Sequence, residues 1–235
     1  DPELFDILQN GIFDEAFSTG VLTDVERELL TITALTAMQT HPQLQAHVGA
    51  ALNIGASPLQ LRETIYQCAP YIGFPKTLNA IDIANGVFEA NGISLPLENA
   101  GTVDATDPSA REQAGAAIQA PLYGNEVKEV FSALPKPFDE FVPHLLTSSA
   151  FGDFATRGGL DVAQRELISL VAIAAIGATT QLRPHVAGAI RAGSSRQKVA
   201  AALVQVMPYI GGPYALSGLV LVARYDESAS AEVYR

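Results

Sequence analysis

The chain has 235 residues, 48% of them apolar and 17% charged, with a formal net charge of −11. That composition belongs to a globular protein with a core and excludes a disordered one, and the acidic balance argues against a nucleic-acid partner, since phosphate binding needs surplus Lys and Arg. The single cysteine excludes an internal disulfide framework and any Cys-x-x-Cys redox or zinc site, and no apolar run reaches membrane-spanning length.

In chain order, the first strong signal is a long apolar helix over 27–38, opened by Arg27-Glu28-Leu29. A polar break follows at 39–41, and Pro42 suits the first turn of a second helix that runs through Ala51 and stops near Gly55. Ser57 caps a third helix, with Pro58 at its first position and Gln60 in capping-box spacing. Pro70 and Gly73-x-Pro75 break or kink it, and a fourth helix runs from about Lys76 to Ala90. The stretch 94–111 is rich in Pro, Gly, Asp, Thr and Asn and reads as a connecting loop. An amphipathic segment at 126–134 follows. Strand signals are scarce throughout, so the expectation is an all-α protein.

The chain then repeats itself. An offset of 138 residues lays Arg27-Glu28-Leu29 on Arg165-Glu166-Leu167, Gln43-Leu44 on Gln181-Leu182, and His47-Val48 on His185-Val186. The same offset superposes Gly55 and Gly193, Ser57 and Ser195, and Pro70-Tyr71-Ile72-Gly73 and Pro208-Tyr209-Ile210-Gly211, without a gap. This is a tandem duplication. The expected organisation is a first helical repeat at 1–92, a linker at 93–124 and a second repeat at 125–235. The counterpart of 126–134 would precede Asp1, and the chain opens without Met, which suggests that the chain is trimmed or asymmetric. A cytoplasmic location is the expectation.

Gln43 and His47 lie four residues apart and share a helix face, and antiparallel packing of the first two helices brings Glu28 toward that face. Glu166, Gln181 and His185 repeat the set. A carboxylate beside an imidazole in an apolar bundle is suited to general acid–base chemistry, although such a pair also serves simply to satisfy itself. No third ligand recurs at helical spacing, so no metal site is expected. The lone Cys68 stands opposite Val206 and reads as a core residue.

Arg-Glu-Leu, Gln-Leu-x-x-His-Val, Gly-x-Ser and Pro-Tyr-Ile-Gly-x-Pro, found in both copies, resemble the carboxymuconolactone decarboxylase family, whose superfamily includes the AhpD-like alkylhydroperoxidases. The resemblance implies two tandem AhpD-like helical repeats packed as a pseudo-dimer. The peroxidases place two cysteines between the Glu and the His. Here those positions are Thr40 and Gln43 in the first copy and Ala178 and Gln181 in the second. Thiol chemistry is therefore absent, and the decarboxylase branch fits better. What the resemblance implies is loss of CO2 from a small unsaturated lactone acid in aromatic degradation, with no cofactor. In that reading His47 or His185 donates the proton with Glu28 or Glu166 as partner. Gln43 and Gln181 orient substrate, Thr40 and the tyrosines Tyr71 and Tyr209 line the pockets, and Arg27 and Arg165 are weaker candidates for binding the carboxylate. The alternatives are a cysteine-free relative of the peroxidases and a non-catalytic small-molecule-binding protein. Three chains are expected to build a pseudo-hexameric ring. Because copy two lacks a polar counterpart of Thr40, the second site is expected to be the decayed one if either has decayed.

Overall fold

A computed structural model describes residues 1–11 and 17–226. The described residues form helices and no strands: α1 Pro2–Leu8, α2 Asp24–Met38, α3 His41–Asn53, α4 Pro58–Ile72, α5 Phe74–Ala90, α6 Pro108–Tyr123, α7 Glu126–Phe131, α8 Phe138–Leu145, α9 Val162–Ala175, α10 Thr179–Arg191, α11 Arg196–Ile210 and α12 Gly212–Ala223. After α8 the chain continues as a π-helical stretch over Leu146–Ala155.

The helix starts are written locally. Thr23 and Glu26 form a capping box that begins α2 one turn earlier than the apolar run alone indicates, and Asp161 with Gln164 does the same for α9. The Ser57–Gln60 box opens α4 as the spacing predicts, and Pro42 occupies the first turn of α3. Pro70 does not break α4. The helix continues to Ile72, and the bond forgone is the one the missing Pro70 N–H would have made to the Tyr66 carbonyl.

The two copies pack face to face. Helices α2 and α9 form the centre and touch each other; α4 of the first copy lies on α9, and α11 of the second lies on α2. This is a pseudo-two-fold arrangement of two all-α repeats. Ile32, Ala34, Leu170, Val171 and Ala172 are completely buried along the central pair. Every residue of α9 from Arg165 to Ala175 is buried, which explains why its apolar character runs all round the helix.

The junction departs from the sequence reading. Within the stretch taken as linker, residues 108–123 form α6, which packs on the π-helical stretch and on α10. A close crossing makes this possible: a Cβ on Gly115 would lie 2.8 Å from the backbone nitrogen of Gly152. Helix α6 begins with Asp107 capping Ser109 and Ala110, and with Pro108 in its first turn. Both are ordinary helix-start signals. The expected connecting loop is thus confined to residues before 108.

A buried ionic cluster ties the junction to both copies. Glu63 on α4, fully buried, accepts from Arg62 (3.0 Å), from Arg157 after the π-helical stretch (2.8 and 3.0 Å) and from Arg165 on α9 (3.4 Å). Burial lowers the Arg165 guanidinium from its ordinary range, with Glu63 opposing. Removing the one anion leaves three guanidinium groups without it. Glu63→Ala is expected to cost about 3 kcal/mol or more of unfolding free energy, read as a lowered urea midpoint. A midpoint unchanged from wild type would contradict this role.

Candidate active site

Helix α2 ends in the left-handed turn at Gln39 and folds back into α3, which sets Glu28 beside His47. The Nδ1 of His47 lies 2.8 Å from Glu28 Oε2. Since a carboxylate only accepts, the ring donates from Nδ1 and leaves Nε2 for any other partner. The pair is 21% and 13% exposed on its His and Glu side chains.

The second copy is arranged differently. Tyr123, the last residue of α6, donates its hydroxyl hydrogen to Glu166 Oε2 and lies 2.9 Å from His185 Nδ1. His185 Nδ1 and Glu166 Oε2 are 3.5 Å apart, so the phenol hydroxyl, the carboxylate and the imidazole form a triangle with the hydroxyl bonded to both others. The pair is also deeper, at 10% and 5% exposure.

Each copy also completes the other's site. The ring of Tyr209 meets His47 edge-on at 5.4 Å, and the ring of Tyr71 meets His185 edge-on at 5.3 Å. The Pro-Tyr-Ile-Gly tyrosines thus stand against the histidine of the opposite repeat. Burial pushes the Tyr209 phenol up to about 12, with a hydrogen bond to Thr31 opposing and the Glu28 charge adding to the rise.

A cavity of about 290 Å³ opens onto the second site. His185, Tyr123, Tyr71 and Gln181 line it, together with Gln119 and an apolar wall that includes Phe131, Phe151 and Ile176. Gln119 Oε1 accepts from Thr147 (2.6 Å). No Lys or Arg is among the described residues that line it. The better-enclosed Glu–His set therefore lies in the copy expected to be the decayed one. A larger open cleft of about 510 Å³, between α5 and residues 101–105, contains the Arg111–Asp153 pair and none of the repeated Glu, Gln and His residues.

The other sequence candidates fall in several places. Gln181 is exposed at the cavity mouth, and Gln43 is exposed on α3. Thr40 precedes α3, and its buried hydroxyl has no hydrogen-bond partner. Arg27 and Arg165 are both buried between the copies, where Arg27 donates to Gln205 (3.1 Å) and Arg165 to Gln67 (3.1 Å), and neither lines the cavity. They stand one residue before the site glutamates and so point to a neighbouring helix face. Tyr123 escaped the sequence reading because internal comparison sees only residues present twice, and its counterpart position falls before Asp1. The Asp107-Pro108 helix start was the signal that would have brought α6 into view.

The comparisons with known proteins follow this geometry. The profile of the Carboxymuconolactone decarboxylase family matches residues 2–86 and 142–224, covering both Glu–His pairs. The chain belongs to the carboxymuconolactone decarboxylase family. It is 34% identical over 80 residues to the 4-carboxymuconolactone decarboxylase of Acinetobacter baylyi, an alignment covering 34% of this chain and 60% of that protein. It is 36% identical over 78 residues to an uncharacterized 15.0 kDa protein of Paracoccus denitrificans, covering 32% of this chain and 58% of that protein. The chain thus spans under two thirds of the length of these relatives.

As a carboxymuconolactone decarboxylase family member the chain has no thiol pair at its repeated sites, where Thr40, Gln43, Ala178 and Gln181 stand. Among the described residues no group of three His, Cys, Asp or Glu side chains is placed to hold a metal ion, and no helix is long and apolar enough to cross a membrane. Cys68 is fully buried, donates to the Thr64 carbonyl (3.3 Å), and burial pushes its thiol up to about 12 against a weaker lowering by Thr33. It should not react with a thiol-specific chromogenic reagent in the native protein and should react fully after denaturation. The raised Cys68 and Tyr209 also set an alkaline limit. The unfolded chain loses these protons near 9.0 and 10.0 while the folded one holds them to about 12. The stability these two groups contribute is therefore fully present below about pH 9 and is lost as pH rises toward 12. Thermal melts across that window would record the decline.

Proposed function

We propose that this chain is a cofactor-free decarboxylase of a small unsaturated lactone acid, with the second-copy cavity as its principal reaction chamber. The observation that carries the reading is the imidazole of His185 in the wall of an apolar cavity, with Nδ1 engaged and Nε2 left for the contents. The 34% identity to a protein named 4-carboxymuconolactone decarboxylase supports the reaction class.

The chemistry needs three things from the protein. The carboxylate must lie where its charge is poorly solvated, so that losing CO2 relieves the cost. Phe131, Phe151 and Ile176 supply such a wall, and no Lys or Arg is among the described lining residues to hold the carboxylate in its ground state. The electron pair left behind moves through the conjugated lactone onto its oxygen, where an amide N–H of Gln119 or Gln181 stabilises it. The carbanionic carbon then takes a proton from His185 Nε2, with Glu166 as the partner that keeps the ring in place. A substrate with one acidic group and an otherwise apolar body suits this lining.

The first copy holds the same acid–base pair as Glu28 and His47, with Gln43 nearby on the sequence and Tyr209 as its wall. It is the more exposed site and the weaker contributor in this reading. Assembly into a homo-oligomer of three chains follows from the family resemblance and is supported by the exposed Phe74 and Leu78 on α5 and Leu216 and Val220 on α12. Light scattering is expected to give the mass of three chains.

Decarboxylation is followed by loss of the conjugated absorbance and by CO2 release. His185→Ala is expected to reduce kcat by roughly 10²-fold or more, His47→Ala by far less, and the double variant to abolish turnover above background. Full activity in the double variant would end this assignment. Tight binding of lactone acids without CO2 release would mark a binding protein instead.

A further inference from the structure

The two sites differ at one point that the duplication makes visible. In the second copy the hydroxyl of Tyr123, the last residue of α6, bonds both Glu166 and His185, which stand 3.5 Å apart; in the first copy the carboxylate meets the imidazole directly at 2.8 Å. Gly188 on α10 is what admits the phenol. A Cβ there would lie 2.7 Å from Tyr123 Cζ and 2.8 Å from Glu166 Oε2, and closer still to the hydroxyl. Under the 138-residue offset the counterpart of Gly188 is Ala50, which carries that Cβ. A tyrosine hydroxyl placed on the first copy as Tyr123 is on the second would collide with it.

We infer that Tyr123 is the positioning residue of the second site, and that the Gly188/Ala50 difference gives one chain two chemically unequal centres: a Glu–Tyr–His relay in the second copy and a direct Glu–His pair in the first. This rests on the reading of the second-copy cavity as a decarboxylating site. The hydrogen-bond directions follow from counting. Tyr123 has one hydroxyl hydrogen, and it goes to Glu166; its oxygen therefore accepts from His185 Nδ1–H. That fixes the ring so that Nε2 is the nitrogen left for the cavity.

One proton crosses in each turnover. The C–CO2⁻ bond breaks with its electron pair staying on the lactone, His185 Nε2 gives its proton to the carbon, and the ring is left neutral with Nδ1–H still on Tyr123. Water returns a proton to Nε2 after the product leaves, so Tyr123 is neither consumed nor oxidised. Its part is to keep one ring nitrogen occupied and the other presented.

The test uses the full chain carrying His47→Ala, so that turnover reports the second site alone. Tyr123→Phe keeps the aromatic ring that packs against Phe151 and His185 (centroids 5.7 and 5.4 Å) and removes only the hydroxyl. The expected result is a fall in kcat of about tenfold or more, with KM changed little. Gly188→Ala is expected to do the same by displacing the hydroxyl. A purely structural role would instead lower the melting temperature and leave kcat of the folded fraction intact, and that result would overturn the inference. A second measurement does not depend on activity: in ¹⁵N-edited spectra the His185 Nδ1 proton should be protected from exchange in the otherwise unmodified protein and lose protection in Tyr123→Phe. If no lactone acid is turned over by the wild-type chain, the functional reading has failed, and the relay is then judged on the spectra. Equal exchange in the two proteins would sink it.

Discussion

The whole arrangement depends on a hydrogen-bond set that each copy makes with the other. Arg165 on α9 donates to Gln67 on α4, whose amide donates to Ser169; Arg27 on α2 donates to Gln205 on α11, whose amide donates to Thr31. These groups are buried, so leaving any of them unpaired would cost its full desolvation penalty. Gln67 and Tyr71 are four residues apart on α4, as are Gln205 and Tyr209 on α11, so each shares a helix face with its tyrosine. Locking the glutamine into the opposite copy therefore carries the tyrosine across as well, onto the opposite histidine.

The sites are thus properties of the pair of repeats. A single repeat brings Glu and His together through the α2–α3 or α9–α10 turn, but the aromatic wall comes from its neighbour. This gives a physical reason for joining two copies in one chain: a covalent link fixes the partner and frees each copy to change independently. The chain has used that freedom. Glu63, with Ala201 at its counterpart position, gathers Arg62, Arg157 and Arg165 at the junction, and α6 covers α10.

Helix α6 and the π-helical stretch build the second cavity, and both lie in or beside the region with the weakest sequence signal. Gly115 and Gly152 let the two backbones cross closely. π-helical segments are rare and often adjoin functional sites; here the stretch contributes Leu146, Ala150 and Phe151 to the cavity. The asymmetry between the copies is concentrated in this one layer, while the central four-helix contact keeps its two-fold character.

The sequence by itself determined the helices within the two repeats, the duplication, the family resemblance and the two Glu–His pairs. Helix period, caps and short turns are local, and a repeated motif fixes residues relative to their own repeat. Gln43 and Gln181 were legible as neighbours of the histidines for the same reason. Only the tertiary structure decided which copy each tyrosine serves, that Arg27 and Arg165 join the repeats, and that Tyr123 bonds both Glu166 and His185. Those placements depend on how α4 and α11 cross α9 and α2 and on whether a glycine or an alanine faces α6. Contacts of that kind link residues far apart in the chain, and neither periodicity nor internal repetition carries information about them.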